Sequence, residues 1–273
     1  MLPVVTWLYL AWSMAPILIA ARASLDASGH PASPSGFTLD AYRAILADAE
    51  LRRPYLVSVR VALATAALAT PLGAAMALGL QRWRGRTSTT ASAMVALAVV
   101  TPQIALGAAL FYLLAFVTRY PLLDQRAVLL GHITLAIPFV VVVVRSRLLS
   151  IGRSIEEQAM DLGASPAEAV RRVTLPLMVP ALLVGAVVAF TISFDNFVLS
   201  DRLCLFDSCR TVPTMLYGGR ASLELDPVVL ALGTAAAVTS ITSLALVLLA
   251  RKAFRRASGW REGRLLGSRV GLP

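Results

Sequence analysis

Apolar residues in this chain gather in six blocks separated by polar, turn-rich stretches. Each block is about 20 residues long, the length an α-helix needs to cross the hydrocarbon core of a bilayer. The pattern predicts spans at about 2–21, 56–80, 91–117, 128–146, 177–199 and 227–250. The first block contains Pro3 and Pro16, and Ala21-Arg22-Ala23 after it loosely imitates a signal-cleavage site. It has no basic leading region and its apolar run is long for a secretory signal, so an uncleaved first helix is expected. Thr101-Pro102-Gln103 interrupts the third block at mid-span. Such a break survives in lipid only where neighbours satisfy the freed backbone groups. The run Val140–Val144 would suggest a strand in water. At membrane depth a lone strand is excluded, and helix is expected.

The polar stretches differ in kind. Residues 22–55 carry the breakers Ser28-Gly29-His30-Pro31 and Pro34-Ser35-Gly36. Thr38 to Leu46 then reads as a short amphipathic helix outside the membrane. Gln81-Arg82-Trp83-Arg84-Gly85-Arg86 is a compact basic loop, and residues 118–127 form another short loop. The fold class is an all-α membrane protein, one domain over residues 1–273, with a long polar loop at 147–176 and a basic tail at 251–273.

Composition supports the pattern: 58% of residues are hydrophobic and mean hydropathy is +0.75. The net charge of +10 would suggest nucleic acid in a soluble protein. Here the arginines lie in short loops and the tail, where topology and anionic lipid account for them, and nucleic acid is not an expected partner. Lys and Arg number three at 81–90, five at 145–176 and seven at 251–273, against four at 22–55, two at 118–127 and three at 200–226. The excess places both termini and the 147–176 loop in the cytoplasm. The first helix disagrees locally, because Arg22 follows it and nothing basic precedes it.

The 147–176 loop has the signals of a folded element. Ser154-Ile-Glu-Glu157 fits a capping box, which predicts a helix with Ile155, Ala159 and Leu162 on one face. Gly163 is a natural stop. Ser165-Pro-Ala-Glu168 repeats the box with Pro at the first helical position, and a second short helix is expected to reach about Val173 and end at Leu175-Pro176. A loop that only connects two spans needs few residues, so this one is read as functional.

The same stretch resembles the EAA loop of ABC-importer permeases, whose pattern is Glu-Ala-Ala, three residues, Gly, nine residues, Ile-x-Leu-Pro. Here Glu157-Gln158-Ala159 is followed at those spacings by Gly163 and by Val173-Thr174-Leu175-Pro176. Gln158 and Val173 depart from the pattern without altering a helix–turn–helix. The resemblance covers nearly the whole chain and implies a type I ABC importer permease fold in a bacterial inner membrane. It implies that the first short helix is a coupling helix, with Glu156, Glu157, Gln158, Ala159, Asp161, Gly163, Ala164, Leu175 and Pro176 carrying the coupling to an ATPase. The implied partners are a dimer of ATP-binding ABC subunits, a second permease subunit forming a heterodimeric pore, and an extracytoplasmic substrate-binding protein. The chain has no Gly-x-x-x-x-Gly-Lys-Ser/Thr phosphate loop, so no cofactor is expected on it; ATP and Mg belong to the partner ATPase. It is read as a non-catalytic transport subunit.

Ala189 to Leu199 contains Asp195, read as a carboxylate inside a span and therefore a functional candidate. With Phe194 and Asn196 it is similar to a segment of spermidine/putrescine importer permeases, which carry Ser-x-Asp-Asp here. An Asp near the outer end of the fifth span would attract a cationic amine, and Asn196 in place of a second acid halves that charge. Arg60 has three readings: an ion pair with Asp195, snorkelling to the interface, or a place in the pathway that would favour an anionic or zwitterionic solute such as an aminophosphonate. Related permeases also carry ferric iron and thiamine. Gln103 either lines the path or bonds a neighbouring helix. Cys204 and Cys209 lie in an outer loop, an oxidising setting that favours a disulfide; two free thiols are the alternative. His132 is read as a packed polar residue, and His30 carries no signal. Paired inverted repeats and abundant intramembrane charge, expected of a stand-alone secondary transporter, are not seen. Neither a metal-type Cys/His cluster nor a Ser/His/Asp set suggests a membrane enzyme.

Overall fold

The computed structural model describes residues 2–28, 35–82, 85–118, 124–217 and 226–267. They are helical, with one isolated bridge, Asp26 to Phe37, and no strand among the described residues. Five helices are long and apolar enough to cross a membrane, and a broken pair supplies a sixth.

The chain opens with α1 (Leu2–Ala23) and the short α2 (Asp40–Ala47), the amphipathic helix expected at Thr38–Leu46. The breakers at 29–34, His30 among them, lie outside the described residues. The second span begins earlier than its apolar block, as α3 (Ala49–Arg82). Asp48 starts it by accepting the Glu50 N–H at 2.8 Å, and Ala, Glu, Leu and Arg all sustain helix outside lipid. Its 34 residues reach about 51 Å, well beyond a ~30 Å hydrocarbon core.

Gly85 and residues 83–84, which lie outside the described ones, separate α3 from α4 (Arg86–Val100), so the basic loop is shorter than expected. The third block is broken at Thr101-Pro102, after which α5 (Gln103–Thr118) resumes. Part of the 118–127 loop is likewise undescribed. The fourth span is α6 (Gln125–Ile151), helical through Val140–Val144 as membrane depth requires.

The 147–176 loop holds α7 (Ser154–Asp161) and α8 (Pro166–Ala169). Leu175-Pro176 does not end the second short helix. A π-helical turn at Val170–Thr174 carries it into α9 (Leu175–Phe194). Proline lacks an N–H and its ring clashes with the carbonyl four residues back. Just ahead of Pro176 the turn is wide, with the Leu175 N–H reaching back five residues to the Val170 carbonyl. The fifth span stops at Phe194, short of 199, and α10 (Phe197–Leu203) follows a break. Then come a 3₁₀ turn at Asp207–Cys209, α11 (Val212–Tyr217) and α12 (Pro227–Gly267). Part of the 200–226 loop, residues 218–225, is undescribed. The tail beyond 250 is thus helical to Gly267 rather than a separate segment; residues 268–273 lie outside the described residues.

The chain forms two compact units. One comprises residues 1–62, 102–132 and 193–241. In it, Ala41 and Ile45 of α2 pack on Ala231 and Leu232 of α12. The Ser24 hydroxyl at the end of α1 meets the Tyr42 hydroxyl at 2.8 Å. The other unit comprises residues 63–101, 133–192 and 242–273. Its core is small and branched: Ala69, Ala77, Ala136, Val140, Val144 and Met178 are fully buried. A Cβ on Gly73 of α3 would stand 2.7 Å from Val140 Cγ1, and one on Gly185 of α9 would stand 3.3 Å from it. Small residues let helices approach closely where lipid removes the usual hydrophobic drive for association.

Candidate functional site

The knuckle between α6 and α9 is built by its helix ends. Gly152, with φ +74°, closes α6 by donating its N–H to the Leu148 carbonyl at 3.2 Å, a left-handed cap. The chain then turns directly into helix. Arg153 already has helical dihedrals, and its carbonyl accepts the Glu156 and Glu157 N–H groups at 3.0 Å each. The expected capping box at Ser154 is therefore not formed: the helix starts one residue early, so Ser154 lies inside it and makes no cap. Its neighbour Glu156, which the box did not involve, pairs with Arg82 at the end of α3. Its side chain is 13% exposed and that of Arg82 39%, so the pair is partly shielded from water.

Gly163, with φ +94°, ends α7 as expected. The Ala164 N–H donates to the Ala159 carbonyl at 3.1 Å and the Gly163 N–H to the Met160 carbonyl at 2.9 Å, the two bonds of a Schellman motif. The second box does form. Ser165 N–H donates to Glu168 Oε2 at 3.1 Å, the Glu168 N–H donates to Ser165 Oγ at 3.4 Å, and Pro166 takes the first helical position. Arg147 Nε donates to the Leu177 carbonyl at 3.2 Å and Gln81 Nε2 to the Leu148 carbonyl at 3.1 Å, so both roots of the knuckle are tied. The knuckle itself is bare. No residue of α7 is buried, Glu157, Gln158 and Asp161 are exposed, and Leu162 is 91% exposed. An anchored helix with an uncovered apolar side suits a docking surface.

A second polar site lies at the break after α9. Asp195 is exposed in the gap between helices rather than inside one. Asn196 caps α10, its Oδ1 accepting the Leu199 N–H at 2.8 Å. Its Nδ2 donates to Gln103 Oε1 on α5 at 3.1 Å, so Gln103 does bond a neighbouring helix. Phe194 is buried and meets Tyr55 edge-on at 6.2 Å. His132, fully buried, brackets the gap: Nδ1 meets Ser193 Oγ at 2.8 Å and Nε2 meets Ser200 Oγ at 3.2 Å. A neutral imidazole offers one donor and one acceptor, and two rotatable hydroxyls complement both. The sequence marked His132 as a packed polar residue but gave no sign of the bracket, which depends on serines 61 and 68 residues away.

Arg60 forms no ion pair with Asp195 among the described residues; it lines a separate cavity with Arg52 and Arg53. Cys204 and Cys209 are joined by a disulfide, their Cα atoms 5.7 Å apart.

Helical spans, a knuckle on tied roots and a polar break define a membrane permease subunit. Residues 69–257 match the family described as the inner membrane component of binding-protein-dependent transport systems, and the chain belongs to that family. It is 31% identical over 246 residues to the spermidine/putrescine transport system permease protein PotC of Haemophilus influenzae, covering 90% of this chain and 93% of that one. It is 31% identical to the putrescine transport system permease protein PotI of Escherichia coli K12, covering 87% of this chain and 86% of that one. Among solved structures it is similar to a bacterial ABC transporter that imports the acidic polysaccharide alginate, with TM-score 0.71, 16% identity and 93% of each chain covered. An amino acid ABC transporter with histidines gives TM-score 0.58 and 15% identity over 80% of this chain and all of that one. The fold is that of ABC importer permeases.

Proposed function

We propose that this chain is the permease subunit of an ATP-driven, binding-protein-dependent importer of polyamines of the spermidine/putrescine class. The observation that carries the reading is the 152–176 knuckle: tied at its roots, bare at its tip, and matching the spacing of a coupling loop. The identity to polyamine permeases over about nine-tenths of the chain supports the substrate class.

In this reading α7 sits in a groove of a separate ATPase subunit, whose closure on ATP pushes the knuckle. The Arg82–Glu156 pair passes the displacement to α3, and the continuous run from α8 into α9 passes it to the fifth span. Glu157, Gln158 and Leu162 face the ATPase, and Gly163, Ala164 and Ser165 fix the angle between the two short helices. The exposed Asp195 presents a carboxylate to a cationic amine, next to Asn196, which is itself bonded to Gln103. ATP and Mg reside on the ATPase dimer, and this chain performs no bond chemistry. A second permease subunit completes a heterodimeric pore, an extracytoplasmic binding protein delivers the solute, and both termini lie in the cytoplasm of a bacterium.

The test is uptake of labelled spermidine and putrescine into liposomes holding the assembled transporter, with binding protein outside and ATP inside. Uptake should require all components and should fall several-fold for Asp195→Asn. Unchanged uptake in that variant removes Asp195 from the pathway. Failure of the complete system to take up any polyamine overturns the substrate reading.

A further inference from the structure

One face of α3 carries an unusual load. Arg52, Arg53, Leu56 and Arg60 fall on a single helical stripe and form one wall of a cavity of about 310 Å³. Gln125, at the start of α6, and Ser208, inside the disulfide-closed loop, help to close it. That volume is at the lower end of the ~300–1,000 Å³ typical of small-molecule sites. Among the described residues no carboxylate lines the cavity. Of the acids beside it in sequence, Asp124 accepts the Arg126 N–H at 2.7 Å, Asp207 pairs with Arg210 at 3.5 Å and Asp48 accepts the Glu50 N–H at 2.8 Å, while the exposed Glu50 makes no ion pair with either Arg53 or Arg60. Arg52 donates to the Leu46 carbonyl at 2.9 Å. The guanidinium groups of Arg53 and Arg60 have no hydrogen-bond or ion-pair partner among the described residues.

Depth selects the ligand. Arg60 lies inside the second apolar block, and Arg53 lies about 10 Å further along the helix, before that block begins. The pair therefore straddles the boundary between hydrocarbon and headgroups. An uncompensated cation at the inner position is costly and calls for an anion. Leu56, exposed between the arginines, offers an apolar contact to an acyl chain. Ser208 belongs to a loop closed by a disulfide, and disulfides persist on the oxidising side of the membrane.

We propose that this cavity holds the phosphate of an anionic phospholipid headgroup from the extracytoplasmic leaflet, forked by Arg53 and Arg60. Guanidinium groups match phosphate oxygens in two-point geometry, and such charge-assisted bonds are stronger than neutral ones. The inference rests on α3 being a span and is independent of which solute is carried.

The assembled transporter in detergent is titrated with phosphatidylglycerol and, in parallel, with phosphatidylcholine, and bound lipid is counted by native mass spectrometry. Phosphatidylglycerol should bind more tightly, and Arg53→Gln or Arg60→Gln should each weaken it about tenfold, the loss of a charge-assisted bond. Arg43→Gln, which removes an arginine paired with Asp40 outside the cavity, should leave it unchanged. The double replacement Arg53→Lys with Arg60→Lys should recover part of the binding, which separates lost charge from misfolding. Equal retention by the wild type and both glutamine variants overturns the proposal. So does displacement of the lipid by inorganic phosphate, which would make a free anion the ligand. Weakened docking of the binding protein with lipid retention unchanged overturns it in favour of a protein carboxylate.

Discussion

Asp26 collects hydrogen bonds on one oxygen. Its Oδ1 accepts the backbone N–H groups of Ser28 and Ser35 at 2.9 and 3.0 Å and their hydroxyls at 2.7 and 3.2 Å. The Ser35 and Ser28 donors favour the charged form, and they hold this carboxyl well below the usual carboxylate range. A depressed folded-state value means the clamp stabilises the protein above the unfolded carboxylate range, near pH 4, and is lost as pH falls through the folded value. Asp26→Asn keeps the shape and removes the charge. Its destabilisation in thermal unfolding should be constant from neutral pH down to about 4 and shrink below that. A penalty that grew on acidification would contradict the clamp. Residue-scale features of this kind were poorly legible. The sequence showed Ser28 and Ser35 only as turn formers, and it read Gln103, Asn196 and His132 one at a time. Their roles come from pairings across 61 to 93 positions, which no local pattern encodes.

Helices and their ends were easier to read, because periodicity and caps are local properties. The amphipathic α2, the stop at Gly163 and the box at Ser165 all stand where pattern placed them. The box at Ser154 failed because Gly152, an unnoticed left-handed residue, hands the chain straight into α7. Gly163 carries the sharper test. At φ +94° a β-branched side chain is strained, by about 1–2 kcal/mol or more, whereas Asn tolerates left-handed backbone. A Cβ there meets no atom within 4 Å, so the effect is purely conformational. Gly163→Val should insert normally yet separate ATP hydrolysis from uptake, lowering solute moved per ATP several-fold. Gly163→Asn should retain most of the coupling. Full coupling in the valine variant would remove the knuckle from force transmission.

For the molecule as a whole, the sequence conveyed class and span count almost completely. Blocks of about 20 apolar residues have few alternatives in lipid. Edges were less legible, since α3, α6 and α12 continue as helix past their apolar blocks. Polar residues with good helix propensity extend a span without a hydropathy signal. The chain also exposes apolar surface freely: Trp7 and Trp12 of α1 and Phe116 of α5 are largely uncovered, and the apolar window of α1 has 0% of its residues buried. Faces of this kind suit a chain whose solvent is lipid. The proposed orientation, termini inward, follows from the charge distribution and is open to a direct test. Single cysteines introduced at Leu162 and at Phe37, in a background lacking Cys204 and Cys209, should differ. An impermeant thiol reagent added to intact cells should label position 37 and spare 162, and the reverse pattern would invert the topology.

The π turn at Val170–Thr174 has a genetic consequence. Such a turn is, in length, one residue too many for an α-helix, absorbed locally with the flanking helical register kept. Deleting Arg171 should convert the turn to ordinary helix with a kink at Pro176, leaving α8 aimed as before. Removing one residue elsewhere, such as Val179, should rotate everything upstream by about 100° and swing the knuckle off its target. A deletion scan through this helix, scored by recovery of the intact complex with its ATPase, should therefore show a narrow tolerant window at 170–174. Loss of the complex for every deletion, Arg171 included, would mean that the extra residue is itself required.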